Sequence, residues 1–195
     1  NTPAVLCALS DLYLVKYQLY EADNKTLQHA LKYAKAAAKY NPNEAWAYVT
    51  LANAKILGGQ ITVALEQIDK AKKLAPNWLD VYVTQAKAYR LRGETSNAWN
   101  SIQIAYSKQP DNPYVRLERA NVLITKNMFS WAEKNITELL LEWNSDPFVR
   151  MAKTELLLAS KHYLAALDWQ SQLHSEFPKS FQITFLNAIT NDLNG

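Results

Sequence analysis

Glycine is nearly missing from this chain, with four in 195 residues beside seven prolines. That scarcity excludes a glycine-rich phosphate loop and argues against long disordered linkers. One cysteine, Cys7, excludes any intrachain disulfide and does not report the redox compartment. It has no adjacent base and is expected to pack as a small apolar residue on the first helix. The three histidines, His29, His162 and His174, are scattered, and no Cys, Asp or Glu completes a metal-ligand spacing near them.

Long apolar runs are lacking too. The longest, residues 4–15, is broken by Ser10 and Asp11, well short of the roughly 18 residues of a membrane span. The basic opening of a signal peptide is also missing. The chain begins at Asn1 rather than Met, which suggests an excised or processed piece of a longer protein. Charge of one sign is not in excess: 21 basic against 18 acidic residues leave +3. That balance is too small to predict nucleic-acid binding. Lys70, Lys72 and Lys73 read as one solvated helix face. The expectation is a soluble chain, cytoplasmic or periplasmic, with no catalytic residues, no metal, no cofactor, no direct nucleic-acid contact and no membrane insertion.

What is present is a period. Pro42, Pro76 and Pro110 stand 34 residues apart, Pro178 lies two periods further on, and Asn144 fills the gap. Proline ends a helix because it lacks an N–H and clashes with the preceding turn. The Asn, Asp or Ser that follows is expected to cap the next helix. Ala30, Ala64, Ala98, Ala132 and Ala166 keep the same period, as do Ala52, Ala86 and Ala120. Small residues at such points let two helices approach closely. Ile68, Ile102 and Ile136 follow one helical turn after an alanine. Gly59 and Gly93 fall between the helices of a pair, where a positive φ ends the first; Asn127 takes that place next. No stretch alternates with period two, so essentially no strand is expected. The predicted helix pairs are 3–20 with 26–40, 45–57 with 61–74, 79–91 with 95–108, 113–126 with 129–142, and 147–159 with 162–176. A last helix is predicted over 180–193.

A 34-residue unit with Trp/Tyr, small, Tyr, Gly, Ala, aliphatic and Pro at these offsets resembles the tetratricopeptide repeat family. In the unit from Leu79 to Pro110, Tyr82, Ala86, Tyr89, Gly93, Ala98, Ala105 and Pro110 all fit. The resemblance covers nearly the whole chain. It implies an all-α, right-handed superhelical solenoid of about five helix–turn–helix repeats (3–42, 45–76, 79–110, 113–144, 147–178) plus a C-terminal capping helix, all one array over 1–195. Several positions depart from the pattern: Arg116 and Arg119 where bulky apolar residues are usual, Asn144 for Pro, Thr154 for a small residue, Lys161 for Gly. The capping helix is expected to turn Phe181, Phe185, Ile189 and Leu193 inward and Asn187, Asn191, Asp192 and Asn194 to water.

The resemblance further implies a concave groove lined by the second, fifth, ninth and twelfth residues of each unit. These are Trp46, Val49, Asn53 and Ile56; Asp80, Val83, Lys87 and Arg90; Tyr114, Leu117, Asn121 and Ile124; and Phe148, Met151, Glu155 and Leu158. The ninth positions form a polar line, Asn53, Lys87, Asn121 and Glu155, and asparagine can clasp a peptide backbone through both donor and acceptor. Trp46, Tyr114 and Phe148 flank it as candidate anchors. Lys87, Arg90 and Arg92 give the middle of the array a basic character, suggesting an acidic or phosphorylated partner segment. The Lys/Asn/Arg clamp by which relatives hold chaperone C-termini does not assemble here in any register, since Glu118, Phe148 and Ala152 stand where cations would be required. The expected function is a non-enzymatic scaffold for a protein or peptide partner. The alternative is a self-associating or regulatory part of a larger protein, with Trp131 and Trp169 as convex contacts. The Asn- and Lys-rich repeats resemble bacterial envelope or pilus assembly arrays. Asn24-Lys-Thr and Asn135-Ile-Thr match the glycosylation pattern and are read as accidental.

Overall fold

The computed structural model describes residues 2–194, with the Asn194 side chain and the terminal Asn1 and Gly195 outside the described part. Its elements are α1 (Pro3–Leu19), α2 (Asn24–Tyr40), α3 (Ala45–Leu57), α4 (Ile61–Leu74), α5 (Leu79–Leu91), α6 (Thr95–Lys108), α7 (Pro113–Thr125), α8 (Phe129–Glu142), α9 (Pro147–Ala159), α10 (Tyr163–Glu176) and α11 (Phe181–Asn194). The helix bounds expected from the prolines and glycines lie within two residues of these.

The turns carry the period in their hydrogen bonds. The bonds Glu44 N to Asn41 O, Trp78 N to Ala75 O, Asn112 N to Gln109 O, Asp146 N to Trp143 O and Ser180 N to Phe177 O recur every 34 residues. Asn144 therefore serves the same turn without a proline. Tyr48 and Tyr82 each donate a phenolic hydrogen bond back to the carbonyl of Pro42 and Pro76, at 3.0 and 2.6 Å, tying each helix to the turn before it. Side-chain caps are fewer than expected. Asp23, Asn112, Asp146 and Ser180 accept from the first-turn amides of α2, α7, α9 and α11, whereas α3 and α5 start at Glu44 and Trp78 without one.

Within each of the last four pairs the turn needs a left-handed residue at one place: Gly59 (φ 72°), Gly93 (φ 83°), Asn127 (φ 58°) and Lys161 (φ 65°). Among the described residues the α1–α2 turn has none, and Tyr20 ends α1 at φ -121°. For a residue with a Cβ this conformation costs about 1–2 kcal/mol. Lys161→Gly is therefore expected to stabilise the chain by about 1 kcal/mol, read as a raised thermal midpoint. An unchanged or lowered midpoint would show that the lysine side chain offsets the strain.

The odd-numbered helices pack against one another in succession, α1 on α3 through to α9 on α11, while the even-numbered ones touch only odd neighbours. The odd helices therefore lie at the inner radius of a helical solenoid. Each pair closes over an alanine-and-aliphatic stripe, as Ala52 with Ala64, Ile68 and Ala71, and Ala86 with Ala98, Ile102 and Ala105. Arg116 and Arg119 are accommodated rather than excluded. Arg116 pairs with Glu138 at 2.7 Å; Arg119 lies 4.3 Å over the Tyr106 ring and donates to Asn135 Oδ1 at 2.9 Å. Asn135 is buried and its Nδ2 is bonded to Trp131 O, so that matched glycosylation site has no accessible acceptor nitrogen.

Asp11 sits partly buried on α1, and burial pushes its carboxyl up to about 6. The folded form thus holds a proton that the unfolded chain, with an ordinary carboxylate, has lost. Stability falls as pH rises between about 4 and 6. At neutral pH Asp11→Asn should gain up to about 3 kcal/mol, at about 1.4 kcal/mol per pKa unit, and flatten that part of the profile. Thermal melts of both proteins at pH 4.5 and 7 test this; parallel pH profiles would refute it.

The ends of the array meet. Ser180 Oγ donates to Gln18 O at 2.6 Å, Leu19 packs with Met151, Leu173 and Ile183, and Tyr20 stands edge-on to Phe177 at 5.7 Å. The last helix also corrects the expectation for it. Ile183, Leu186 and Thr190 are the buried residues, while Phe181 and Phe185 are 70% and 55% exposed and Leu193 is exposed. Residue 183 has the repeat phase of Val81, Val115 and Val149, all buried against the preceding repeat, and that phase overrides the helix's own amphipathic pattern.

Candidate partner-binding groove

The inner surface is built by α3, α5, α7, α9 and α11, and the structure divides the expected lining residues into two groups. Val49 and Ile56 are buried in the core shared by α3, α4 and α5; Ile124 is buried among α7, α8 and α9; Met151 is buried beside Leu19. These have almost no surface to offer a ligand. Val83 and Leu117 are partly buried against the same cores. Fifth and twelfth positions turn toward the following repeat because each first helix must cover both its own second helix and the next first helix.

The ninth positions, Asn53, Lys87, Asn121 and Glu155, are all partly buried and remain along the inner surface. They stand about 100° around the helix from the buried eighth and tenth positions. Of the second positions, Tyr114 (69% exposed) and Asp80 stand open at one edge. Trp46 borders a hollow formed with Pro3, Cys7 and Ala47 at the start of α1, and Phe148 packs against the end contact. Leu158 is half-buried. The aromatic flank is therefore dispersed rather than one wall.

The centre of the inner surface holds a charge network. Arg90 grips Glu118 with two hydrogen bonds, Nε to Oε1 at 2.8 Å and Nη2 to Oε2 at 3.3 Å, and both side chains are largely buried. Asn121 Nδ2 reaches the same carboxylate at 3.5 Å, while its Oδ1 is buried without a partner. Burial pushes the Lys87 ammonium below its usual range; Glu118 opposes that shift and Arg90 adds to it. Burial lifts the Glu155 carboxyl; Arg90 pulls it back, Glu118 lifts it further, and a Gln182 hydrogen bond offsets part of the rise. Lys87 Nζ has no hydrogen-bond or ion-pair partner among the described residues, and Asn53 has none either.

Two cations thus face two carboxylates. The basic character expected for Lys87, Arg90 and Arg92 is cancelled, because Glu118 takes Arg90 and Glu94 takes Arg92. Glu118 lies at the sixth position of its unit, outside the expected lining, and its pairing across 28 residues could not be read from its own helix. Elsewhere, Cys7 is buried, His29 stacks edge-on to Tyr13, and His162 Nδ1 lies 2.9 Å from Ser160 Oγ. Among the described residues no group of His, Cys, Asp and Glu could hold a metal, and no helix is long and apolar enough to cross a membrane. On the outer side Trp131 is exposed, while Trp169 is half-buried.

No family model matches the chain, and no curated protein is significantly similar to it. Solved structures do match. A thermophilic TPR protein from Thermus thermophilus superimposes with TM-score 0.75 at 21% identity, over 97% of this chain and 99% of that one. PilF of Pseudomonas aeruginosa gives 0.60 at 16% identity, over 96% and 90%. YrrB, a TPR protein with an unusual peptide-binding site, gives 0.52 at 14% identity, over 83% of each chain. The fold is therefore that of the tetratricopeptide repeat proteins.

Proposed function

We propose that this chain is a non-catalytic protein-interaction scaffold whose inner surface takes an extended segment of a partner protein. The reading is carried by the polar line with unused hydrogen-bonding capacity: Asn53, the unpaired Lys87 Nζ and the unpartnered Asn121 Oδ1. A buried polar atom without a partner costs about 1–3 kcal/mol. A peptide backbone offers donors and acceptors in alternation, and an asparagine amide can meet both at once. Peptide recognition by YrrB, a protein of similar fold, supports the reading by analogy. The near-neutral centre favours backbone recognition of an uncharged segment over a strongly acidic one.

The test is capture from source-cell lysate by this chain and by an Asn53→Ala, Lys87→Gln, Asn121→Ala variant of equal helicity. The variant is expected to bind its prey over a hundredfold more weakly, from about 3 kcal/mol of lost hydrogen bonding. Prey held equally by both proteins would sink the groove as the working surface.

A further inference from the structure

The forward face of α11 is a second interaction surface, independent of the groove. Every first helix before it packs two faces. Third and tenth positions turn back onto the preceding repeat: Val81 and Ala88, Val115 and Val122, Val149 and Leu156 are all buried. First, fourth or fifth, and eighth positions turn forward onto the second helix of the same repeat. The eighth positions are Ala52, Ala86, Ala120 and Thr154, all fully buried. On α11 the backward face is used in the same way, through Ile183 and Thr190. The forward face carries the same kinds of residue in the same phase, namely Phe181, Thr184, Phe185 and Ala188, and all are exposed. Phe181 and Phe185 stack only on each other, at 6.0 Å. A solvating cap would be polar here. This helix instead presents the acceptor half of an interface that the chain fills in each earlier repeat.

Those repeats also state what the acceptor takes. The second helices offer Ala64, Ile68 and Ala71; Ala98, Ile102 and Ala105; Ala132, Ile136 and Leu139: small, aliphatic, then small or aliphatic at intervals of four and three. The small first residue meets the small eighth position and lets the backbones approach. We propose that the α11 face docks an amphipathic helix of a partner protein bearing an Ala-x3-Ile-x2-Ala stripe, continuing the solenoid across the two chains. Asp192 is the sole charged residue of α11, so the contact is apolar and depends little on salt.

The probe is a lactam-braced peptide with the sequence of residues 61–74, which carries that stripe, titrated as a fluorescent conjugate into the 195-residue chain. Saturable binding is expected, at least about tenfold weaker for a peptide with Ala64 and Ala71 changed to Gln and for Ala188→Arg protein. Ala188 is exposed, so this variant should keep the parent's thermal midpoint. Equal binding by the Gln-substituted peptide or by Ala188→Arg, or no saturable binding of the parent peptide, would overturn the proposal. So would a dimer in sedimentation that Ala188→Arg disperses, since a second copy would then be the occupant.

Discussion

Glu118→Gln should lower the thermal midpoint by about 6–12 °C, the largest effect of any single change that keeps side-chain volume. Glu118 is the anion on which Arg90 and Lys87 both depend, and it links α5 to α7 across the inner surface. Removing one partner of a largely buried pair leaves an uncompensated charge, worth about 3–5 kcal/mol. The low end applies here, because Glu155 also feels Arg90 and is relieved of Glu118's repulsion once that carboxylate is gone. About 3 kcal/mol in a chain of this length gives the stated shift, at about 2–4 °C per kcal/mol. An Arg90→Met, Glu118→Met double variant should recover most of the loss, since apolar replacement of a whole buried pair is often neutral or better. That contrast, read by circular dichroism, separates a buried pair that must be complete from one that adds net stability. A single variant melting with the parent would show the network to be ornamental.

This network also marks the boundary of what the sequence carries. The fold was legible because one backbone problem is solved repeatedly: a turn after every pair, a left-handed residue within four of the five, a small residue where helices touch. Each solution leaves a residue type at a fixed phase, so even Asn144, Asn127 and Lys161 fall where the period puts them. The groove was only partly legible. Phase correctly separates inner from outer helices, yet fifth and twelfth positions share a helix face with the packing surface, so Val49 and Met151 are core while Asn53 and Asn121 are not. The α11 assignment failed for a related reason. The helix has two apolar stripes, and its own amphipathicity favours the one carrying Phe181 and Phe185, whereas phase shows that Ile183 must be the buried one. Arg90 with Glu118 and Ser180 with Gln18 depend on how successive repeats rotate, which no local pattern records.

Ile183→Asp should uncouple the two ends of the array and loosen both at once. In an open solenoid each repeat senses only its neighbours, so damage at α11 would fray α10 and leave α1 as it was. Here Leu19 of α1 shares a core with Ile183, Leu173 and Met151, and Ser180 is bonded to Gln18 across 162 residues of sequence. A carboxylate placed at the fully buried position 183 has no cation facing it in that cluster, so α11 must swing out to hydrate it. Leu19→Ala attacks the same core from the other end, by removing packing worth about 2–5 kcal/mol. Either substitution should increase amide exchange in α1 and α11 together, sparing α5 to α7, and enlarge the radius of gyration in X-ray scattering. Contact between ends converts a row of neighbours into a closed object, so that fraying at one end costs contacts at the other. Exchange that rises in α10 and α11 alone would mean that the ends touch without supporting one another, and the array would then behave as a rod whose inner surface is free to open around a partner.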